Sequence, residues 1–149
     1  MTAPKKALKP VAPVPISLVE GALDHSHFSA SSHITDVLVG EYHNISGDGL
    51  SASYIAWSIR IVVDDAMHSL ILIYKRYRDL EELRRKLAKA FSNEDIPELP
   101  PKDNLSVQRI CGLDLWLEHR RKGLQWFLTN VLLNPKFQHH EIITDFVLG

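Results

Sequence analysis

The stretch Leu70-Ile71-Leu72-Ile73-Tyr74-Lys75-Arg76-Tyr77 decides how this chain is read, because an apolar run of strand character ends in two cations and an aromatic ring. Directly after it, Leu80, Leu83, Leu87 and Phe91 recur at three- and four-residue spacing. That spacing predicts an amphipathic helix over 79–91, with Asp79 as its N-cap. Lys75, Arg76 and Tyr77 then project from a strand end beside a helix start, a rigid place to mount a binding group. An Arg fork makes charge-assisted, often bidentate hydrogen bonds to phosphate, a Lys adds a point charge, and a Tyr ring offers a flat platform for a cyclic ligand. The combination suits a phosphorylated ring. Taken alone, Lys75-Arg76 also fits the polar rim of an ordinary strand. The helix charges Glu81, Glu82, Arg84, Arg85, Lys86 and Lys89 read as a solvated face with i,i+4 pairing.

Working outward, two further strands precede this run. One spans 33–45, with Val37, Val39, Tyr42 and Ile45 among polar residues, and Ser46-Gly47-Asp48-Gly49 closes it as a turn. The other covers 54–63, where Trp57, Ile59, Ile61 and Val63 alternate with Ser58, Arg60 and Val62, the period of a half-buried antiparallel strand. Downstream, Pro97-Glu98-Leu99-Pro100-Pro101-Lys102 cannot be helical and must cross the domain extended. A longer helix follows over 114–133, with Leu117, Leu124, Phe127, Leu128 and Val131 as its buried stripe. Asn134-Pro135 ends it, and Phe137, Ile142, Ile143, Phe146 and Val147 suggest a last short helix. Three strands followed by helices, without β-α-β alternation, predict an α+β fold: a three-stranded antiparallel sheet packed against a helical subdomain.

Composition limits the functions available. With 149 residues and 45% hydrophobic content, the chain supports one domain, expected over 32–149, behind a flexible Pro-rich arm over 1–31. A formal net charge of −1 argues against bulk attraction to nucleic acid or membrane, so anion binding must come from local clusters such as Arg120-Arg121-Lys122. Cys111 is the only cysteine, which excludes an intramolecular disulfide and a C-x-x-C site and suits a reducing, cytoplasmic setting. Prolines interrupt any leader-like apolar region, and no run of about 18 apolar residues exists. The eight histidines form no His-Glu-x-x-His, and no nucleophile elbow, Walker loop or Gly-x-Gly-x-x-Gly is present. The expectation is a protein without catalysis, metal or cofactor. In the arm, Pro13-Val14-Pro15-Ile16-Ser17-Leu18-Val19 combines a preset extended backbone with apolar side chains, so it reads equally as a docking motif or as a leader with no partner.

The order strand, Arg-Tyr-x-Asp, helix, Pro-x-x-Pro-Pro-Lys and a helix bearing Arg-x-x-Gly-Leu-x-x-Phe resembles the PX (phox homology) domain over about residues 33–148. The resemblance implies a phosphoinositide reader, most often of phosphatidylinositol 3-phosphate on endosomes and the vacuole. By it, Arg76 holds the 3-phosphate, Tyr77 packs against the inositol ring, Lys102 contacts the 1-phosphate and Arg120 binds the 4- and 5-hydroxyls. Lys75 and Arg121 become auxiliary membrane charges. Leu105, Val107 and Ile110 become candidates for dipping into the bilayer, although helix-start packing explains them equally. The arm resembles the Pro-x-Pro recruitment motif of small fungal endosomal PX adaptors, which implies a chorein-type lipid-transfer partner held through Pro13, Pro15, Ile16 and Leu18. The alternative is a PX-fold protein-interaction module or a sorting-nexin-like trafficking protein with weak lipid binding. The chain departs from the family at Leu80, where many members carry Phe, a change expected in the core rather than the pocket.

Overall fold

The computed structural model describes residues 32–50, 52–64, 68–102 and 112–149. Strands β1 (His33–Ile45), β2 (Tyr54–Asp64) and β3 (Ser69–Arg76) form an antiparallel sheet in the order β1-β2-β3. The alternation in β2 places Trp57, Ile59, Ile61 and Val63 on one buried face, and pairing Ile59 with both Val39 and Ile73 aligns the apolar rows of all three strands. Strand β1 is irregular: its register shifts between Val39 and Tyr42. Gly40 lies in that bulge, where a Cβ would sit 2.7 Å from Ser58 Oγ, and Ser58 Oγ donates to the Glu41 carbonyl at 3.2 Å.

Helix α1 (Tyr77–Ala90) begins without a connecting loop after β3. Asp79 is not its N-cap: Arg76 occupies that position with an extended backbone, and Asp79 is the third helical residue, accepting the Arg76 N–H on Oδ2 at 2.9 Å. The strand therefore runs on through Lys75 and Arg76, and the carboxylate expected to start the helix reaches back to satisfy the last strand amide. Helix α2 (Leu113–Leu132) lies along β1, followed by the short α3 (Pro135–Gln138) and α4 (Glu141–Leu148). The expected single terminal helix is thus two. His140 divides them, its Nδ1 accepting the Ile142 N–H at 3.1 Å as the α4 N-cap, so His139-His140 is a connection rather than part of a helix. Leu80, Leu83 and Leu87 from α1 share the core with Leu124, Phe127 and Leu128 from α2, Phe137 from α3 and Ile143 from α4. Leu80 is fully buried there.

Two side-chain devices fix the layers. The Gln125 amide of α2 accepts the Val39 N–H at 2.7 Å and donates to the Val37 carbonyl at 2.8 Å, so it pairs the edge of β1 as a neighbouring strand would. Arg84 of α1 donates to the carbonyls of Pro97 (2.9 Å) and Ile96 (3.5 Å). That revises its reading as a solvated charge, because backbone carbonyls of the extended crossover come within its reach only in the folded chain.

Candidate functional site

The β3–α1 junction, the end of the crossover and the start of α2 converge on an open cleft of about 910 Å³, within the range of small-ligand sites. Its walls include Tyr54, Arg76, Tyr77, Arg78, Glu81, Glu82, Arg85, Lys102, Trp116 and Arg120. All four residues proposed from sequence as headgroup ligands, Arg76, Tyr77, Lys102 and Arg120, are therefore brought together from three separate segments.

Each is held differently. The Arg76 Cζ lies 4.4 Å from the centroid of Tyr54, which supports the guanidinium without consuming its N–H donors. Tyr77 donates its hydroxyl to the Pro100 carbonyl, fixing its ring beside the crossover. Arg120 is only 8% exposed, and its Cζ stands 4.4 Å from the ring centroids of both Tyr77 and Trp116. Its Nη2 donates to the Pro101 carbonyl at 2.7 Å and to the Lys102 carbonyl, so Arg120 clamps the end of the crossover from which the Lys102 side chain emerges. Gly123, one helical turn further on, makes the clamp possible: a Cβ there would lie 2.8 Å from Pro100 Cβ and Cγ.

Acidic groups temper the positive wall. Lys102 Nζ is 3.7 Å from Glu81 Oε1, and Arg85 forks onto Glu82 with contacts of 2.6 and 3.0 Å. The Arg85 hydrogen bond holds the Glu82 carboxyl below its usual pKa, so it stays ionised at neutral pH. Among the described residues, Arg76 and Arg78 have no carboxylate within ion-pair distance. No group of three or more His, Cys, Asp or Glu side chains among the described residues could hold a metal.

Other sequence candidates fall elsewhere. Lys75 alternates to the opposite face from Arg76, with its Nζ 4.9 Å from the Phe146 ring centroid. Arg121 pairs with Glu118 (2.6 Å), donates to the Val39 carbonyl (3.2 Å), and lines a separate groove of about 730 Å³ with Leu38, Tyr42 and Leu117. Leu105, Val107, Ile110 and the arm residues Pro13, Pro15, Ile16 and Leu18 lie outside the described residues. The sequence reading missed Tyr54, Arg78, Glu81, Glu82, Arg85 and Trp116 as walls of the cleft. Helical spacing carried a usable signal for most of them: 78, 81, 82 and 85 share one face of α1, and Trp116 lies one turn before Arg120. Tyr54 had none, since only the pairing of Ala56 with Arg76 brings it near.

Comparison with known proteins agrees with this geometry. The family profile described as PX domain matches residues 67–148. The endosomal/vacuolar adapter protein YPT35 of Debaryomyces hansenii is 57% identical over 142 residues, covering 95% of this chain and 89% of that protein. The adapter of the same name from Meyerozyma guilliermondii is 52% identical over 143 residues, covering 95% and 94%. Among solved structures, a designed CISK-PX domain superposes with a TM-score of 0.61 at 23% identity, covering 77% of this chain and all of that one, a likeness of fold. A sheet, crossover and helices that assemble a cationic cleft, together with these matches, establish that the chain belongs to the PX domain family.

Proposed function

We propose that this protein is a non-enzymatic adaptor that reads phosphatidylinositol 3-phosphate on endosomal and vacuolar membranes. Arg76 carries the reading. It stands at the mouth of a helix, over an aromatic ring, with no carboxylate partner among the described residues, which is the state of a guanidinium kept ready for an incoming phosphate. In this reading Arg76 takes the 3-phosphate and Tyr77 walls the inositol ring. Lys102 leaves Glu81 for the 1-phosphate, and Arg120 offers donors to the 4- and 5-hydroxyls while keeping its hold on the crossover. Lys75 and Arg121 supply only general attraction to an anionic surface. The names of the two fungal relatives support the endosomal and vacuolar address. No helix among the described residues is long and apolar enough to cross a membrane, which is compatible with peripheral attachment.

The arm over 1–31 completes the proposal: Pro13, Pro15, Ile16 and Leu18 recruit a chorein-type lipid-transfer protein. Co-sedimentation of the full chain with vesicles carrying phosphatidylinositol 3-phosphate tests the address. Arg76→Ala should weaken binding on the order of 30-fold or more, the equivalent of about 2 kcal/mol, with an unchanged melting temperature. Equal binding by a folded Arg76→Ala variant would refute the lipid pocket. Pro13→Ala combined with Pro15→Ala should abolish capture of the lipid-transfer protein and leave vesicle binding intact; retained capture removes the arm from the scheme.

A further inference from the structure

The cleft that would take the headgroup carries two carboxylates, which a site built only to attract phosphate does not need. Both come from one turn of α1. Glu82 engages Arg85 through two hydrogen bonds of 2.6 and 3.0 Å, and Glu81 faces Lys102 at 3.7 Å. An exposed pair of this kind adds little to helix stability, so its larger consequence is on the charge of the wall. Each carboxylate offsets one cation of the cleft, while Arg76 and Arg78 have no carboxylate partner among the described residues.

We propose that Glu81 and Glu82 are specificity-determining residues that limit the cleft to a headgroup with a single phosphate monoester, rejecting the charge of a second. The inference rests on the phosphoinositide reading above. A phosphate monoester carries about −1.5 to −2 charge at neutral pH, which two guanidiniums, those of Arg76 and Arg78, match. A second monoester brings as much charge again. It meets Arg85 already forked onto Glu82, Lys102 taken up by the 1-phosphate, and in the same wall the Glu81 carboxylate that Lys102 has left. Both carboxylates are about half exposed, so water screens them in part, yet they line the same cleft as the headgroup and lie within a Debye length of it, so they cost a bisphosphorylated ligand more than they cost a monophosphorylated one. Selectivity then arises from a built-in repulsion rather than from extra attraction to the preferred lipid.

Glu81→Gln with Glu82→Gln removes the charge and keeps the shape, and Glu141→Gln, at the start of α4 away from the cleft, matches one unit of the charge change as a control. The full chain and each variant are sedimented with phosphatidylcholine vesicles containing phosphatidylinositol 3-phosphate, phosphatidylinositol 3,5-bisphosphate or phosphatidylserine at equal total lipid charge. The double variant should bind the bisphosphate vesicles at least tenfold better than the unmodified protein, with less than a threefold change on the other two, and Glu141→Gln should change none. An equal gain on all three vesicles, phosphatidylserine included, would reduce the effect to general charge and overturn the inference; so would no gain on the bisphosphate. If the unmodified chain binds no phosphoinositide vesicle, the lipid reading itself fails, and this inference with it.

Discussion

Arg120 shows how one side chain can belong to a site and to the fold that builds it. Its guanidinium is buried between Tyr77 and Trp116 and donates to the carbonyls of Pro101 and Lys102. Arg120→Ala leaves those carbonyls without this donor and empties the space between two rings, and should cost about 1–3 kcal/mol in urea unfolding. Arg120→Lys should recover only part of it, since an ammonium lacks the flat face that lies against the Tyr77 and Trp116 rings. Unaltered stability of Arg120→Ala would contradict the clamp. Glu82 sits at the other extreme. Its folded pKa is lowered by the Arg85 hydrogen bond, so the pair's contribution is present above the ordinary carboxylate range and is lost as pH falls through the lowered value. Because this carboxylate is open to solvent, Glu82→Gln should leave the melting temperature at neutral pH nearly unchanged, a result differential scanning fluorimetry would check. The cations at 76, 102 and 120 and the ring at 77, which the fold brings to one cleft, were legible in the sequence. The paired state of Lys102 and the clamping geometry of Arg120 were not, because their partners lie on other elements, 21 and 19 residues away.

At the scale of elements, the crossover is positioned by what holds it from each side: Arg84 on the carbonyls of Ile96 and Pro97, and the α2 surface at Gly123 against Pro100. Gly123→Ala gains about 1 kcal/mol of helix propensity, yet forces a methyl to 2.8 Å from the rigid Pro100 ring. Overpacking of this kind typically costs about 1–3 kcal/mol, so the net effect should be destabilising, with vesicle binding reduced because Lys102 moves with the crossover. Thermal melting and co-sedimentation together check this, and an unimpaired variant would show that the crossover yields freely. Gln125 makes a parallel case at the β1 edge. Gln125→Leu should cost about 1–3 kcal/mol and speed hydrogen exchange at the Val39 amide, which loses its acceptor; unchanged exchange there would deny the edge pairing. Periodicity located β2 and both long helices to within about two residues, the usual uncertainty of element ends. It was least exact for the end of β3, which runs past the apolar residues to Arg76 and passes directly into α1 with no turn residue to mark the boundary.

For the whole molecule, the formal charge of −1 and the cationic cleft act together: vesicles carrying phosphatidylserine alone should recruit little protein at physiological salt, as a flotation assay would show, because the chain as a whole carries no excess positive charge to hold it on an anionic surface. Strong recruitment by phosphatidylserine would point instead to a broad basic surface. By itself the sequence determined the order of three strands and the helices, the apolar faces that become the core, and the cations and rings available to a ligand. Those properties are local, since periodicity and residue chemistry are written along a few successive positions. Only the tertiary structure decided which cations lie in the cleft and which lie outside it, and which of them meet carboxylates. Those outcomes depend on strand register, on the alternation that turns Lys75 away from Arg76, and on packing of α2 against the crossover, all of which join residues distant along the chain.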